Sequence, residues 1–212
     1  SQAFGWDKTQ IGAIITAGLS IYGFSAIFNG PIADKMGGRR AMLIGATGTV
    51  VFNLLFGLGA YLGFLGKGTY LLGYFASVWA LNSYFQSFSA LALIKVNAGW
   101  FHIKERGVFS AIFGSMIQSG RALIFVLGGI LVAILPWQWV FFVPASLVAL
   151  MAFCTFKVVR NNPEDCSLPA LDVQDASSGD TAPITVGYVL SKVFKDRKST
   201  RLNSSHGYIS YA

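Results

Sequence analysis

The stretch NGPIADKMGGRR, Asn29 to Arg40, places four charges in seven positions between two long apolar runs. Asp34, Lys35, Arg39 and Arg40 stand where one hydrophobic segment ends and before the next begins. In a soluble protein such a cluster is an ordinary surface turn. The rest of the chain rules that setting out. Of its 212 residues 54% are apolar and 12% are charged, and the mean hydropathy is +0.57; soluble domains carry about 25% charged residues. Eighteen Phe and 24 Gly agree, because Gly is commoner in membrane helices than in soluble ones. This is the composition of an integral membrane protein, and the cluster is a connection at the membrane surface.

Working outward, five apolar segments follow one another: Ile11 to Ala33, Ala41 to Leu65, Thr69 to Val96, Gly107 to Leu135 and Val140 to Phe156. A hydrocarbon core of roughly 30 Å needs about 20 helical residues, so the last segment is at the short limit. None shows the alternation of barrel strands, and only helices or closed barrels satisfy their backbone groups in lipid. The segments are therefore predicted to be helices. Lys and Arg set the orientation. Lys35, Arg39 and Arg40 follow the first segment, Lys95, Lys104 and Arg106 surround the end of the third, and Lys157, Arg160, Lys192 and Lys195 follow the fifth. The opposite side has Lys8 and Lys67, and its PWQW turn is uncharged. Basic short loops stay in the cytoplasm, which predicts a chain that starts outside and finishes inside. That bias accounts for the net charge of +7 and leaves no reason to invoke a nucleic-acid partner.

Small residues at helix-packing spacing occur as Gly59 with Gly63 and as Ala26 with Gly30, for which chance spacing toward lipid serves equally well in a Gly-rich chain. Cys154 lies in an apolar run and Cys166 in a polar loop, so the two are expected apart and reduced. His102 and His206 are too isolated for a metal site or a catalytic dyad. No nucleophile–base set and no nucleotide-binding loop is present, so the sequence points to neither an enzyme nor a cofactor.

Domain organisation follows from composition. Residues 1–158 form the transmembrane bundle. Residues 159–195 begin with the acidic, Pro- and Ser-containing stretch after Arg160, a flexible cytoplasmic linker, and end in ITVGYVLSKVFKD, the approach to a further helix. Residues 196–212 are read as translated sequencing adapter and not native chain: DRKSTRLNSSH back-translates to adapter sequence, Gly207 and Tyr208 take the place of an index, and ISYA resumes it. A solvated polar tail is the alternative, and it leaves the functional argument unchanged.

The charged connection also resembles a known motif. Gly30-Pro31-Ile32-Ala33-Asp34-Lys35-Met36-Gly37-Gly38-Arg39-Arg40 is similar to the signature loop of the major facilitator superfamily, departing from it at Gly38, where a basic residue is common. IYGFSAIFNGPIAD (21–34), NLLFG (53–57), ALNSYFQSF (80–88), GWFHIKERGVFSAI (99–112), PWQWVFFVPA (136–145) and NNPEDCSLP (161–169) narrow the resemblance to its organophosphate/phosphate antiporter branch. The implied fold is all-α: five transmembrane helices, the family's second to sixth, of a six-helix N-terminal bundle, plus a cytoplasmic linker. The first helix and the second half are expected to lie outside this sequence.

Residue roles follow partly from chemistry and partly from that resemblance. Gly30 is expected to let a neighbouring helix approach, Gly37 and Gly38 to form a tight turn, and Arg39 and Arg40 to hold anionic headgroups. Asp34, at a helix C-terminus where negative charge is disfavoured, needs a partner. Lys35, Arg106, or a helix N-terminus of the other half would serve, and in the family this acid bridges the halves when the cytoplasmic side is closed. Lys95, Glu105 and Arg106 are cytoplasmic supports. Within the bilayer, Arg121 is a functional-site candidate by default, and with Gln118 one turn earlier it can hold a carboxylate or phosphate. A structural ion pair or carbonyl-bonded Arg between helices, or a place nearer the interface, is the alternative. Tyr22, Ser25, Asn82 and Gln86 are weaker cavity candidates, for which helix–helix hydrogen bonding serves equally well. Ala26 and Ile117 stand where branch members carry a Lys and, in some, a His.

The expected function is that of a secondary active transporter, working by alternating access on a small organic anion, with exchange of a phosphorylated metabolite for phosphate as the form the branch implies. The expected location is a bacterial inner membrane, and the partners are the lipid bilayer, the anionic solute and the other half of the same transporter. A transporter-like sugar-phosphate sensor that binds without transporting is the runner-up, and a lone five-helix structural protein a third reading.

Overall fold

The structure, a computed structural model, describes residues 5–62 and 69–169. Five α-helices follow one another: α1 (Lys8–Met36), α2 (Gly38–Leu58, continued by a 3-10 turn over Gly59–Tyr61), α3 (Thr69–Trp100), α4 (Ile103–Ile134) and α5 (Trp139–Val158). No strand occurs among the described residues. The helices overrun the apolar segments at the basic end. α1 continues past Pro31, Asp34 and Lys35, and α3 past Lys95. Residue 65, the expected end of the second segment, lies outside the described residues, as do the 170–195 part of the linker and the adapter-like 196–212.

Local signals explain the ends of α1. Asp7 caps it: its carboxylate accepts from the Gln10 N–H at 2.8 Å, while the Gln10 side chain accepts from the Asp7 N–H at 3.1 Å, a reciprocal capping box. At the other end Pro31 sits within the last two turns, and neighbouring helices in a bundle tolerate the hydrogen bond it cannot make. A single residue, Gly37, separates α1 from α2.

Four of the helices, α1, α2 with its 3-10 turn, α4 from Gly107, and α5, are long and apolar enough to cross a membrane. The fifth, α3, has 32 residues and is about 48 Å long. Asn82, Ser83, Gln86, Ser87 and Ser89 lower its hydropathy; α3 is the central helix, and Asn82, Ser83, Ser87 and Ser89 meet α1 and α2 rather than lipid. It accompanies α1 from a buried cluster of Ile14, Leu71 and Phe75 to the contact of Asp34 with Lys95. α1 and α3 thus run in the same direction. α2 runs against both, and α5 packs along α2, with Gly57 under Phe142 near one end and Arg39 beside Phe156 at the other.

Two faces organise the packing. On α1, Ile14, Gly18, Ser25, Asn29 and Ala33 are buried, at steps of four and seven that keep one helix face toward α3. On α2, Gly38, Ala41, Gly45 and Gly48 are buried at steps of three and four. A methyl at Gly45 would overlap Ser89 and Phe85, and one at Gly48 the Phe85 ring. Small residues that let backbones approach are what holds membrane helices together. At Ala26 and Gly30 the described residues offer no such contact: a methyl on Gly30 meets nothing within 4 Å among them. Gly59 does pack, under the rings of Phe75 and Tyr74, while Gly63 lies outside the described residues.

The end opposite the basic one is aromatic. Phe56 packs at a tilt against Phe141 at 4.4 Å and meets Phe75 edge-on at 4.7 Å, and Trp6 meets Phe75 at 5.4 Å. Trp137 packs against this cluster, 6.2 Å from Phe75, while Trp139 is exposed.

Candidate functional site

The signature stretch is barely a loop. Asp34 and Lys35 belong to the last turn of α1, Arg39 and Arg40 to the first turn of α2, and Gly37 alone turns the chain. Its φ of 86° and ψ of 149° fall in a region that a side chain strains. Gly38, expected to share the turn, is helical. A Cβ there would lie 3.0 Å from the Ala92 carbonyl oxygen and 3.1 Å from the Val96 nitrogen, so the position that departs from the family pattern is closed by α3.

Asp34 pairs with Lys95. The ammonium lies 2.7 Å from Oδ1 and 3.0 Å from the Asp34 carbonyl oxygen. One cation therefore neutralises the carboxylate and satisfies a terminal carbonyl of α1, which offsets the unfavourable placement of an acid at a helix C-terminus. Lys35, one expected partner, is exposed and makes no ion pair among the described residues. The side chain of Arg106, a second expected partner, lies outside what is described. Parallel packing of α1 and α3 is the reason Lys95 takes the role: it brings the final turns of both helices together.

Arg39 also departs from expectation. Its Nη2 donates to the Phe156 carbonyl at 2.6 Å and its guanidinium lies 5.3 Å from the Phe156 ring centroid. It ties α2 to the last turn of α5 rather than reaching for a lipid headgroup. A cation at a helix C-terminus is favourable, which compensates its awkward place at the N-terminus of α2. Arg40 is exposed. The backbone N–H of Arg39 donates to Asn161 Oδ1 at 2.8 Å, and Trp100 Nε1 donates to the Arg160 carbonyl at 2.9 Å. Between these groups runs a groove of about 740 Å³, lined by Asp34, Lys95, Gly37, Gly99, Asn161 and Asn162 among others. Glu105 caps α4, accepting from the His102 N–H at 3.1 Å.

The mid-helix candidates divide. Ser25 and Asn82 are buried between helices. Ser25 donates to Ser87 at 3.0 Å, and Asn29, itself fully buried, donates to Ser87 at 2.6 Å. Asn82 donates to Asn53 Oδ1 at 2.9 Å and accepts from Gln86 Nε2 at 2.8 Å. These groups hold α3 to α1 and α2. Tyr22, Gln118 and Arg121 are exposed and Gln86 is half-buried. Gln118 and Arg121 lie one turn apart on one side of α4. Ala26 is half-buried and Ile117 exposed. Asn29, Asn53 and Asn161 were not foreseen as structural anchors, although polar residues inside apolar runs, or a doubled Asn after a terminal helix, are the kind of signal that marks them. No cluster of His, Cys, Asp or Glu suited to a metal ion occurs among the described residues, and Cys154 and Cys166 are both exposed and unbridged.

A family model described as Major Facilitator Superfamily matches residues 1–198. A "Probable hexose phosphate transport protein" of Chlamydia trachomatis is 27% identical over 168 residues, covering 79% of this chain and 35% of that protein. The "Glycerol-3-phosphate transporter" of Bacillus subtilis is 26% identical over 81% of this chain and 37% of its own length. A "Membrane sensor protein UhpC" of Salmonella typhimurium is 29% identical over 76% of this chain and 34% of its own. The chain thus spans about a third of the length of these curated relatives. With its helical bundle, its signature turn and a family match over nearly all of its length, the chain belongs to the major facilitator superfamily.

Proposed function

We propose that the chain is part of a secondary active transporter that carries a small phosphorylated organic anion by alternating access, in exchange for phosphate, across a bacterial inner membrane. The single observation that carries this reading is the match to transporters of hexose phosphate and glycerol 3-phosphate in a chain whose signature turn holds a solvent-accessible ion pair, Asp34 with Lys95. The basic end faces the cytoplasm on this reading, because short basic connections are retained there. The groove beside the pair receives the other half of the transporter when the cytoplasmic side closes. A half-exposed pair of this kind contributes only about 0–1 kcal/mol, weak enough to be remade in each cycle. Arg121 is the proposed anion ligand, with Gln118 beside it.

Counterflow of radiolabelled phosphate in proteoliposomes of the full-length protein tests the proposal: trapped glycerol 3-phosphate or glucose 6-phosphate should drive phosphate uptake. Saturable binding of a sugar phosphate with no exchange would overturn it. That outcome would favour a second reading, a sensor, for which the relationship to a membrane sensor protein and the apolar Ala26 and Ile117 speak.

A further inference from the structure

We propose that Asn161, three residues beyond the end of α5, caps α2 from outside that helix and so positions the α1–α2 turn. α2 begins without a cap of its own. Gly37 holds the N-cap position, has no side-chain acceptor, and adopts a backbone conformation that the usual capping residues, Ser, Thr, Asp and Asn, cannot enter without strain. The first N–H groups of a helix must nevertheless find acceptors. The Asn161 amide oxygen accepts the N–H of Arg39, the second residue of α2, at 2.8 Å across 122 positions of sequence. This is the bond an N-cap side chain makes, delivered by a distant residue.

Asn161 is held in place for the task. Its own N–H donates to Asp165 Oδ2 at 3.0 Å. Its carbonyl oxygen lies where a Cβ on Gly99 would stand 2.5 Å away, so only glycine fits there. The carbonyl of the preceding residue, Arg160, accepts from Trp100. The Asn161 amide also lies over Gly37, 3.2 Å from where a Cβ would be. The glycine that cannot carry a cap and the asparagine that supplies one are complementary in shape as well as in hydrogen bonding. Asn161 is therefore a positioning residue: it fastens the start of the segment after α5 to the turn that carries Asp34. The functional consequence rests on the transport reading above, in which that turn keeps its shape as the bundle moves.

Two measurements on the full-length protein test this. In hydrogen exchange in detergent, Asn161→Ala should speed the amides at the start of α2 by about 2- to 30-fold, leaving peptides of α4 unchanged. Asn161→Asp keeps the acceptor and adds a negative charge favourable at a helix N-terminus, so it should restore the parent rate. In proteoliposomes with inorganic phosphate as the probe, Asn161→Ala should lower the maximal exchange rate and leave half-saturation unchanged. Unaltered exchange at the start of α2, an equal rise in every helix, or no rescue by Asp would overturn the cap. A shift in half-saturation alone would place Asn161 on the solute path and overturn the positioning role. A parent protein that exchanges no phosphate refutes the transport reading, while hydrogen exchange still decides the cap.

Discussion

The contact of α2 with α3 is close at Gly45, where a side chain has little room. A Cβ on Gly45 would overlap the Ser89 hydroxyl and lie 2.8 Å from the Ser89 nitrogen and 2.9 Å from the Phe85 carbonyl oxygen. The hydroxyl can rotate away, but the two backbone atoms cannot. Ordinary contact begins near 3.4 Å, so α2 must retreat by about 0.5 Å even for Ala, and by more for Val, whose branch adds two carbons against the same wall. Overpacking costs about 1–3 kcal/mol. For Ala, about 1 kcal/mol of helix propensity is regained over Gly, leaving a small net loss. For Val less is regained, and a loss of about 2 kcal/mol is expected. In a chain of this size that lowers the melting midpoint by about 4–8 °C. Gly23→Val supplies the control, since nothing lies within 4 Å of a Cβ there. Thermal melts of the detergent-solubilised variants give the comparison. Gly45→Val melting within 1 °C of the parent, or level with Gly23→Val, would refute the close approach of α2 to α3.

Three further predictions follow from the same contacts. Asp34→Asn and Lys95→Met should lower the melting midpoint singly by similar amounts and together by no more than either alone, a coupling of about 0.2–1 kcal/mol; losses that add would separate the pair. Asn82→Ala removes the partner of both Asn53 and Gln86 and should cost about 0.6–1.7 kcal/mol, read in the same melts, with Asn53→Ala adding little on top; additive losses would count against the shared network. Arg121→Ala should abolish phosphate counterflow with membrane expression intact, and undiminished uptake would remove Arg121 from the solute path.

The spans and their basic side were legible because length, hydropathy and Lys/Arg placement are one-dimensional signals. What faces what was not. In water a helix declares its buried side by its apolar stripe, but lipid and protein interior are both apolar, so the rotation of a membrane helix is nearly silent in hydropathy. With 24 glycines in the chain, spacing alone did not separate the buried row of Gly38, Ala41, Gly45 and Gly48 from the open Gly30. The polar residues inside the spans carried the information that apolar ones lacked: Asn29, Asn82 and Ser87 mark the buried faces. At the basic end, the charges of the signature turn were visible, but their partners were not. Lys95 lies 61 positions from Asp34 and Phe156 lies 117 from Arg39. Only the parallel course of α1 and α3 and the antiparallel course of α2 and α5 join them.

The same reversal of polarity bears on α4. The other helices meet along α3 and along α2 with α5, whereas the most apolar stretch of α4 has no buried residue among the described chain. Ser115 turns its hydroxyl back to the Ala111 carbonyl of its own helix at 3.1 Å. Yet α4 carries Arg121, 18 residues from its start and 13 from its end, at least about 20 Å from either along the axis and beyond easy reach of the headgroups. Left against lipid, that arginine would cost at least about 2.5–3.5 kcal/mol. The face holding Gln118 and Arg121 must therefore turn toward water or protein in the membrane. Ser25, Asn29, Asn53, Asn82 and Gln86 already have partners within the bundle, while Arg121 does not draw on them. On the transport reading proposed above, this intramembrane cation, kept apart from the polar groups that bind the helices together, is the proposed counter-charge for the anion.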